Sequence, residues 1–187
     1  METVKILVAC IATAVLYGIV HDQVTARVCL EYFTIGHPPI FQTESPTLLA
    51  LGWGTLATWW AGLLVGIPIS AACRIGAWPK LGARQLIRWL ATLQVVTGLA
   101  SLLAGISGYY AAKSGEIWIG ESLESAIAPE KHVYFLADLW AHRAAYETGF
   151  AGGLVLTAWI LFTRRRLSQG ASEPLLKPSI ALPESRR

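Results

Sequence analysis

The sequence predicts an all-α integral membrane protein with four transmembrane helices, and three observations support this fold class. Hydrophobic residues make up 54% of the 187 positions and charged residues only 14%, whereas an average soluble domain is about one-quarter charged. Four apolar stretches approach the roughly 20 residues that a helix needs to cross the hydrocarbon core. Lys and Arg are concentrated in alternate connections between these stretches. This combination excludes a disordered chain, a coiled coil and an ordinary water-soluble enzyme.

Each predicted span is bounded by charges or by helix-ending signals. The spans are residues 4–20, 47–73, 89–112 and 144–163. Lys5 interrupts the first span near its start, where a long side chain can reach the membrane surface. Ser45 and Pro46 precede the second span as an N-cap and a proline at the first helical position. Pro68 inside that span predicts a kink, and three arginines beginning at Arg164 end the fourth span.

Two further patterns concern helix packing and the first span. Small residues recur every four positions in three spans, which predicts helix faces that another backbone approaches closely. The longest such row is Ala50, Gly54, Thr58, Gly62, Gly66 and Ser70. An Ala-Thr-Ala segment at residues 12–14 is typical of signal-peptide cleavage, but the apolar run continues to Val20. We therefore expect the first span to be retained, since cleavage would leave three spans.

The charge distribution predicts that both termini are cytoplasmic. The N-terminal residues up to Lys5, the connection 74–88 and the segment after span four together carry 11 Lys or Arg and 3 Asp or Glu. The connections 21–44 and 113–147 carry 4 Lys or Arg and 9 Asp or Glu. By the positive-inside rule the first group faces the cytoplasm, so the basic charge reflects topology and not a nucleic-acid partner. Residues 1–166 form the predicted transmembrane domain, and residues 167–187 a disordered cytoplasmic tail.

The candidate metal ligands lie at the predicted extracytoplasmic ends of spans one and four. His21 and Asp22 directly follow span one, and Asp138 and His142 are four residues apart ahead of span four. A four-residue spacing places two side chains on one helix face. If spans one and four are neighbours, these four residues face one cavity and offer ligands for a transition metal, or two histidines for haem. The spacing does not select between these, and solvation at a membrane edge is the alternative.

The other two histidines, His37 and His132, fall on the same predicted side of the membrane. His37 belongs to the connection 21–46, which is rich in aromatic residues and contains Gly36 and paired prolines. This composition is not typical of a flexible linker, and it predicts an ordered lid over the outer helix ends. We expect neither histidine to be a primary member of the metal set.

A second polar group is predicted beside the candidate ligands. Glu147 lies within the apolar part of span four, where an ionisable group is costly unless it is paired or faces a polar cavity. Arg143, four residues earlier, and Arg27 from the first outer connection are its candidate partners. The predicted network consists of Arg27, Glu31, Arg143, Tyr146 and Glu147. It either closes the outer helix ends or forms a proton or substrate site.

Two segments resemble an uncharacterised family of bacterial multi-pass inner-membrane proteins. The first is Tyr-Gly-Ile-Val-His-Asp-Gln at residues 17–23, continued by Glu-Tyr-Phe-Thr-Ile-Gly-His-Pro at residues 31–38. The second is Ala-Asp-Leu-Trp-Ala-His-Arg at residues 137–143. The resemblance covers spans one and two and the start of span four. It implies a location in the bacterial inner membrane, and no particular activity, cofactor or catalytic residue.

Three functional interpretations remain open at the level of the sequence. The leading one is a membrane protein whose outer His/Asp/Glu/Arg site binds a metal, with or without enzymatic or redox chemistry. The second is a non-catalytic accessory or assembly subunit whose outer surface docks a membrane protein partner. The third is a small transporter, for which four spans require a homo-oligomer. In all three the lipid bilayer surrounds the helices.

Overall fold

The computed structural model describes residues 1–170, and all regular elements in this range are helical. The helices are α1 (Glu2–Val28), α2 (Leu30–Thr34), α3 (Pro46–Leu56), α4 (Trp59–Arg74), α5 (Ala83–Lys113), α6 (Glu121–Glu124) and α7 (His132–Gly170), and a 3-10 turn at Pro129–Lys131 leads into α7. Four segments are long and apolar enough to cross a membrane, namely Glu2–Val28, Pro46–Arg74, Ala83–Lys113 and Pro129–Gln169. The predicted all-α class and the number of spans are confirmed in these terms.

The spanning helices extend beyond the apolar runs seen in the sequence. α1 continues to Val28, and α7 begins at His132 instead of near residue 144. Apolarity marks only the part of a helix that lipid surrounds. The extensions carry polar residues that are buried against protein, such as Asp22 and Asp138. The helix ends are therefore set by packing within the protein.

The predicted tail at residues 167–187 overlaps the end of α7. The helix continues through Gly170, so residues 167–170 are helical. Residues 171–187 lie outside the described residues. The run of arginines beginning at Arg164 consequently lies within the helix and does not end it.

The second span is interrupted at Ala57 and Thr58, between α3 and α4. The sequence predicted an irregularity at Pro68 instead, but α4 runs uninterrupted through this proline. The hydroxyl of Tyr146 on α7 donates a hydrogen bond of 2.9 Å to the Ala57 carbonyl oxygen. Backbone that leaves the helix at membrane depth needs such partners from protein. The break is therefore stabilised by α7.

Close helix contacts explain the row of small residues in the second span. A Cβ atom added to Gly54 of α3 would lie 2.6 Å from the Ile19 Cα atom of α1. One added to Gly62 of α4 would lie 2.8 Å from the Ile11 Cα atom. These separations leave no room for a side chain, so α3 and α4 pack directly against the backbone of α1.

The spans form one bundle in which α1 contacts α3, α4 and α5, while α7 contacts α4 and α5. We call the end that carries His21 and His142 the histidine end, and the opposite end, which carries Arg164, the arginine end. Each end has its own buried apolar cluster. The histidine-end cluster includes Cys29, Tyr32, Phe33, Trp53, Phe135 and Leu136, and the arginine-end cluster includes Ile6, Cys10, Ile69, Leu86, Leu90 and Ile160.

Candidate metal centre

Three of the four predicted ligands meet at the histidine end. His21, Asp22 and His142 each offer one ligand atom, and these atoms all lie within 4.8 Å of one another. The ring centroids of His21 and His142 are 4.4 Å apart, and Nε2 of His142 lies 3.3 Å from Oδ1 of Asp22. Asp22 is only 5% exposed. The distances between these ligand atoms fit a single metal ion.

The Nδ1 atom of each of these two histidine rings lies next to a group that accepts a hydrogen bond. Nδ1 of His142 lies 2.8 Å from the Asp138 backbone carbonyl oxygen, so this nitrogen carries the proton and donates it. The Ser101 hydroxyl donates its one proton to the Ala141 carbonyl oxygen at 2.9 Å. It therefore accepts from Nδ1 of His21, which lies 3.4 Å away. Both neutral rings then present a bare Nε2 lone pair.

These tautomers place two acceptors against each other. The Nε2 lone pair of His142 faces the Asp22 carboxylate across 3.3 Å, and Nε2 of His21 has no hydrogen-bond partner among the described residues. Two buried acceptors in contact repel unless a proton or a cation lies between them. A metal ion could satisfy all three ligands at once, and the Nδ1 partners would hold the rings in place as is usual around metals.

The geometry argues against a haem held by the two histidines. Axial ligands must approach the iron from opposite faces of a porphyrin, with the whole macrocycle between the two rings. The rings of His21 and His142 instead touch edge to face at a centroid distance of 4.4 Å. A single ion fits between these nitrogens, and a porphyrin plane does not.

Asp138, the fourth predicted ligand, lies outside the group of three. Its side chain is 2% exposed, and its Oδ2 atom has no hydrogen-bond partner among the described residues. Its backbone carbonyl orients His142. Asp138 is therefore a second buried acidic side chain beside the centre, and its Oδ2 atom lacks a hydrogen-bond partner among the described residues.

The helix α2 forms a lid over the centre. Tyr32 stacks on the His142 ring at a centroid distance of 4.3 Å, and Phe33 approaches the same ring at 5.8 Å. Burial raises the pKa of Tyr32, so its hydroxyl stays neutral. The lid lies within the segment from which the sequence predicted one, and it keeps bulk water from His142.

The remaining histidines have structural surroundings. Nδ1 of His37 lies 2.8 Å from the Tyr32 carbonyl oxygen, and its ring packs against Trp53. Burial lowers the pKa of His37, which favours the neutral ring. Nε2 of His132 lies 2.8 Å from the Ile127 carbonyl oxygen. Neither histidine belongs to the metal-ligand group.

The five residues of the predicted polar network lie in separate places. The Arg143 Nε atom pairs with Glu147 Oε1 at 2.6 Å on an exposed surface. Tyr146 instead bonds to the helix break at Ala57.

The other two members of that network come from the first outer connection. Arg27 donates to the Gln23 Oε1 atom at 2.8 Å and to the Thr47 hydroxyl at 2.9 Å. Glu31 lies 3.9 Å from the Lys131 Nζ atom. The contacts of Arg27 connect α1 to the start of α3. They hold these two helix ends together and do not form a site shared with the other members of the network.

Comparisons of this chain with models of protein families, with curated proteins and with solved structures find no match. The functional argument therefore rests on the geometry of the centre.

Proposed function

We propose that this protein is a membrane metalloprotein that binds one divalent transition-metal ion through His21, Asp22 and His142. The observation that carries the proposal is the pair of opposed acceptors, Nε2 of His142 and the Asp22 carboxylate, 3.3 Å apart. The unpartnered Nε2 of His21 supplies the third ligand. A proton shared between Asp22 and His142 is the rival explanation, but it leaves His21 without a partner.

The ligand set favours a metal of intermediate hardness. Two imidazoles and one carboxylate are typical of zinc and of non-haem Fe(II), whereas Mg²⁺ and Ca²⁺ prefer oxygen ligands. Three protein ligands leave at least one coordination position free. Catalytic metal sites keep a free position and structural ones close it, so the set favours a centre that acts on a ligand. The non-catalytic accessory subunit and the oligomeric transporter are the competing functions.

We further propose that the histidine end faces the extracytoplasmic side of a bacterial inner membrane, with both termini cytoplasmic. Support comes from the excess of Lys and Arg in the connections of the arginine end, and from the resemblance of residues 17–23 and 31–38 to a bacterial family. Reporter fusions after Leu81 and after Glu124 test the topology. The first is expected to be active only in the cytoplasm and the second only outside it, and the opposite pattern would overturn the orientation.

Metal titration of the purified full-length protein tests the centre. Zn²⁺ and Co²⁺ are added to protein stripped with a chelator, and bound metal is measured by elemental analysis and calorimetry. We expect one ion per chain. Replacing a ligand in His142→Ala should weaken binding by on the order of 100-fold or more, beyond the effect of losing an outer partner.

Arg143→Ala is the matched control, because this neighbouring side chain is exposed and pairs only with Glu147 among the described residues. It is expected to bind metal like the wild type. A wild-type protein that takes up no metal, or binding that is equal in His142→Ala and Arg143→Ala, would contradict the proposal.

A further inference from the structure

A cavity of about 670 Å³ lies beside the metal centre, between α1, α5 and α7. Most of its wall is apolar, with Val20, Val24, Leu102 and Ile106 among the lining residues. Val20 and Leu102 are both 58% exposed, and both lie within the predicted spans. Such exposed side chains face hydrocarbon, so the cavity opens sideways to the lipid phase. Its volume is that of a typical small-molecule site.

One part of the wall is polar and carries an unsatisfied group. Asp138 and His21 line it, next to the metal centre. The Asp138 Oδ2 atom is buried and has no hydrogen-bond partner among the described residues. The hydroxyls of Thr25 and Ser101 are already committed to the carbonyl oxygens of His21 and Ala141. The Asp138 Oδ2 atom is therefore free to accept a hydrogen bond from a bound molecule.

The charges around the cavity restrict its occupant. The described residues that line it include no Lys or Arg. Asp138 is in the wall, and Asp22 lies just beyond it in the metal group. An anionic head group, such as a phosphate or a carboxylate, would meet no cation in this wall, and burying a charge without a partner is costly. The fitting molecule is apolar along its length and ends in a neutral hydrogen-bond donor.

We propose that this cavity binds a neutral membrane lipid that ends in a hydroxyl group, and that the hydroxyl donates to Asp138 Oδ2. The bound hydroxyl would then lie beside the free coordination position of the metal, and this placement rests on the proposed metal centre. Lipid binding itself rests only on the cavity and on Asp138. Long-chain alcohols, diacylglycerols and quinols share this chemistry.

Photolabelling of the full-length protein in lipid nanodiscs tests the proposal. Two probes carry the same mid-chain diazirine, one being a 16-carbon alcohol and the other the matching 16-carbon carboxylate. We expect the alcohol to label the cavity segments of α1, α5 and α7 about tenfold more than the carboxylate, because a carboxylate would be buried without a cation partner. Equal labelling by the two probes would overturn the proposal.

Two variants separate the cavity from the general lipid surface. Leu102→Trp fills the cavity, whereas Leu103→Trp places the same side chain on a neighbouring residue that is 65% exposed and outside the lining. Alcohol labelling should fall in the first variant and persist in the second. Asp138→Leu removes the acceptor, so labelling by the alcohol should fall. Equal alcohol labelling in the two tryptophan variants, or unchanged alcohol labelling in Asp138→Leu, would refute the assignment.

The same labelling in His142→Ala distinguishes this inference from the metal proposal. Labelling that persists without metal binding supports the cavity site independently of the metal centre, and labelling that is lost contradicts a lipid site that rests on the cavity alone. A protein that binds metal but shows no cavity labelling contradicts only the lipid site. Unlabelled diacylglycerol and unlabelled quinol compete in separate arms, and the competitor that lowers labelling identifies the class. A lack of competition by both identifies a single-chain alcohol.

Discussion

The two ends of the bundle bury their basic and acidic side chains in opposite ways. At the arginine end, Arg164 is 0% exposed and donates to four backbone carbonyl oxygens. They belong to Ala72, Ile75, Trp78 and Pro79. At the histidine end, His21 and Asp138 each keep a buried atom without a partner among the described residues. The two ends therefore differ in whether their buried basic and acidic groups are satisfied.

The guanidinium group of Arg164 holds the arginine end of the bundle together through these four hydrogen bonds. The last carbonyls of a helix have no partner within it, and the bonds from Arg164 cover the end of α4 and the turn that follows. Its planar fork reaches several carbonyls at once, which a lysine ammonium does not do. We therefore expect the arginine end to govern stability and the histidine end to govern ligand binding.

The largest effect is expected for Arg164→Leu, which leaves four carbonyls without their donor. The free energy of unfolding should fall by about 3–5 kcal/mol, as when one partner of a buried charged group is removed. Reversible unfolding in mixed detergent micelles measures this loss. Arg165→Leu is the control, because Arg165 is exposed on the same helix. Equal stability of the two variants would remove the contrast between the ends.

The next effect is expected for Ser101→Ala at the histidine end. Ser101 holds the Nδ1 atom of His21, so its loss should weaken Zn²⁺ binding by about 10- to 100-fold. Ser107→Ala is the matched control, because the Ser107 hydroxyl is exposed and bonds within its own helix. Calorimetric titration of both variants measures the difference. Unchanged affinity in Ser101→Ala would show that the ring needs no outer partner.

A smaller effect is expected for Tyr146→Phe, between the two ends. The variant removes the hydrogen bond to the Ala57 carbonyl oxygen at the break in the second span. It should cost about 1 kcal/mol in unfolding free energy and leave Zn²⁺ affinity unchanged. Tyr110→Phe, at a residue 64% exposed, is the control. A loss of metal binding in Tyr146→Phe would extend the functional site to the break.

The smallest effect is expected at Cys29, beneath the lid. Burial raises the pKa of this thiol to about 12, so only about one thiol in ten thousand is ionised at pH 8. A membrane-impermeant maleimide should leave Cys29 unmodified in intact cells. It should label a cysteine introduced by Glu124→Cys at an exposed position. Rapid modification of Cys29 would show that the lid opens.

The sequence was sufficient to predict the bundle and the approximate place of the site. The thickness of the bilayer sets the length of a spanning apolar run, and the four runs of this length predicted four spans. Helical spacing placed Asp138 and His142 on one face, and their position at a span end matched that of His21. The helices extend past the predicted spans, because residues such as Asp22 are polar and yet buried in protein.

Other features depend on how the helices are rotated against each other, which no spacing within one helix determines. Three successive arginines begin at Arg164, and the sequence does not show which of them points inward. The same holds for Ser101, which is one of several small residues in its span and the only one near His21 Nδ1 among the described contacts. The break at Ala57 depends on a hydroxyl from α7 and was expected at Pro68. Asp138 shares a helix face with His142, but it lies outside the group of three ligands and lines the neighbouring cavity.

X-ray absorption at the zinc K-edge of the zinc-loaded full-length protein tests the central claim most directly. The account predicts one zinc per chain with only nitrogen and oxygen neighbours at about 2.0–2.2 Å, and the outer-shell scattering of two imidazoles. The chain also has three free cysteines, Cys10, Cys29 and Cys73, which could bind zinc in its place. A sulfur shell at about 2.3 Å, or a spectrum without imidazole scattering, would contradict a centre made of His21, Asp22 and His142.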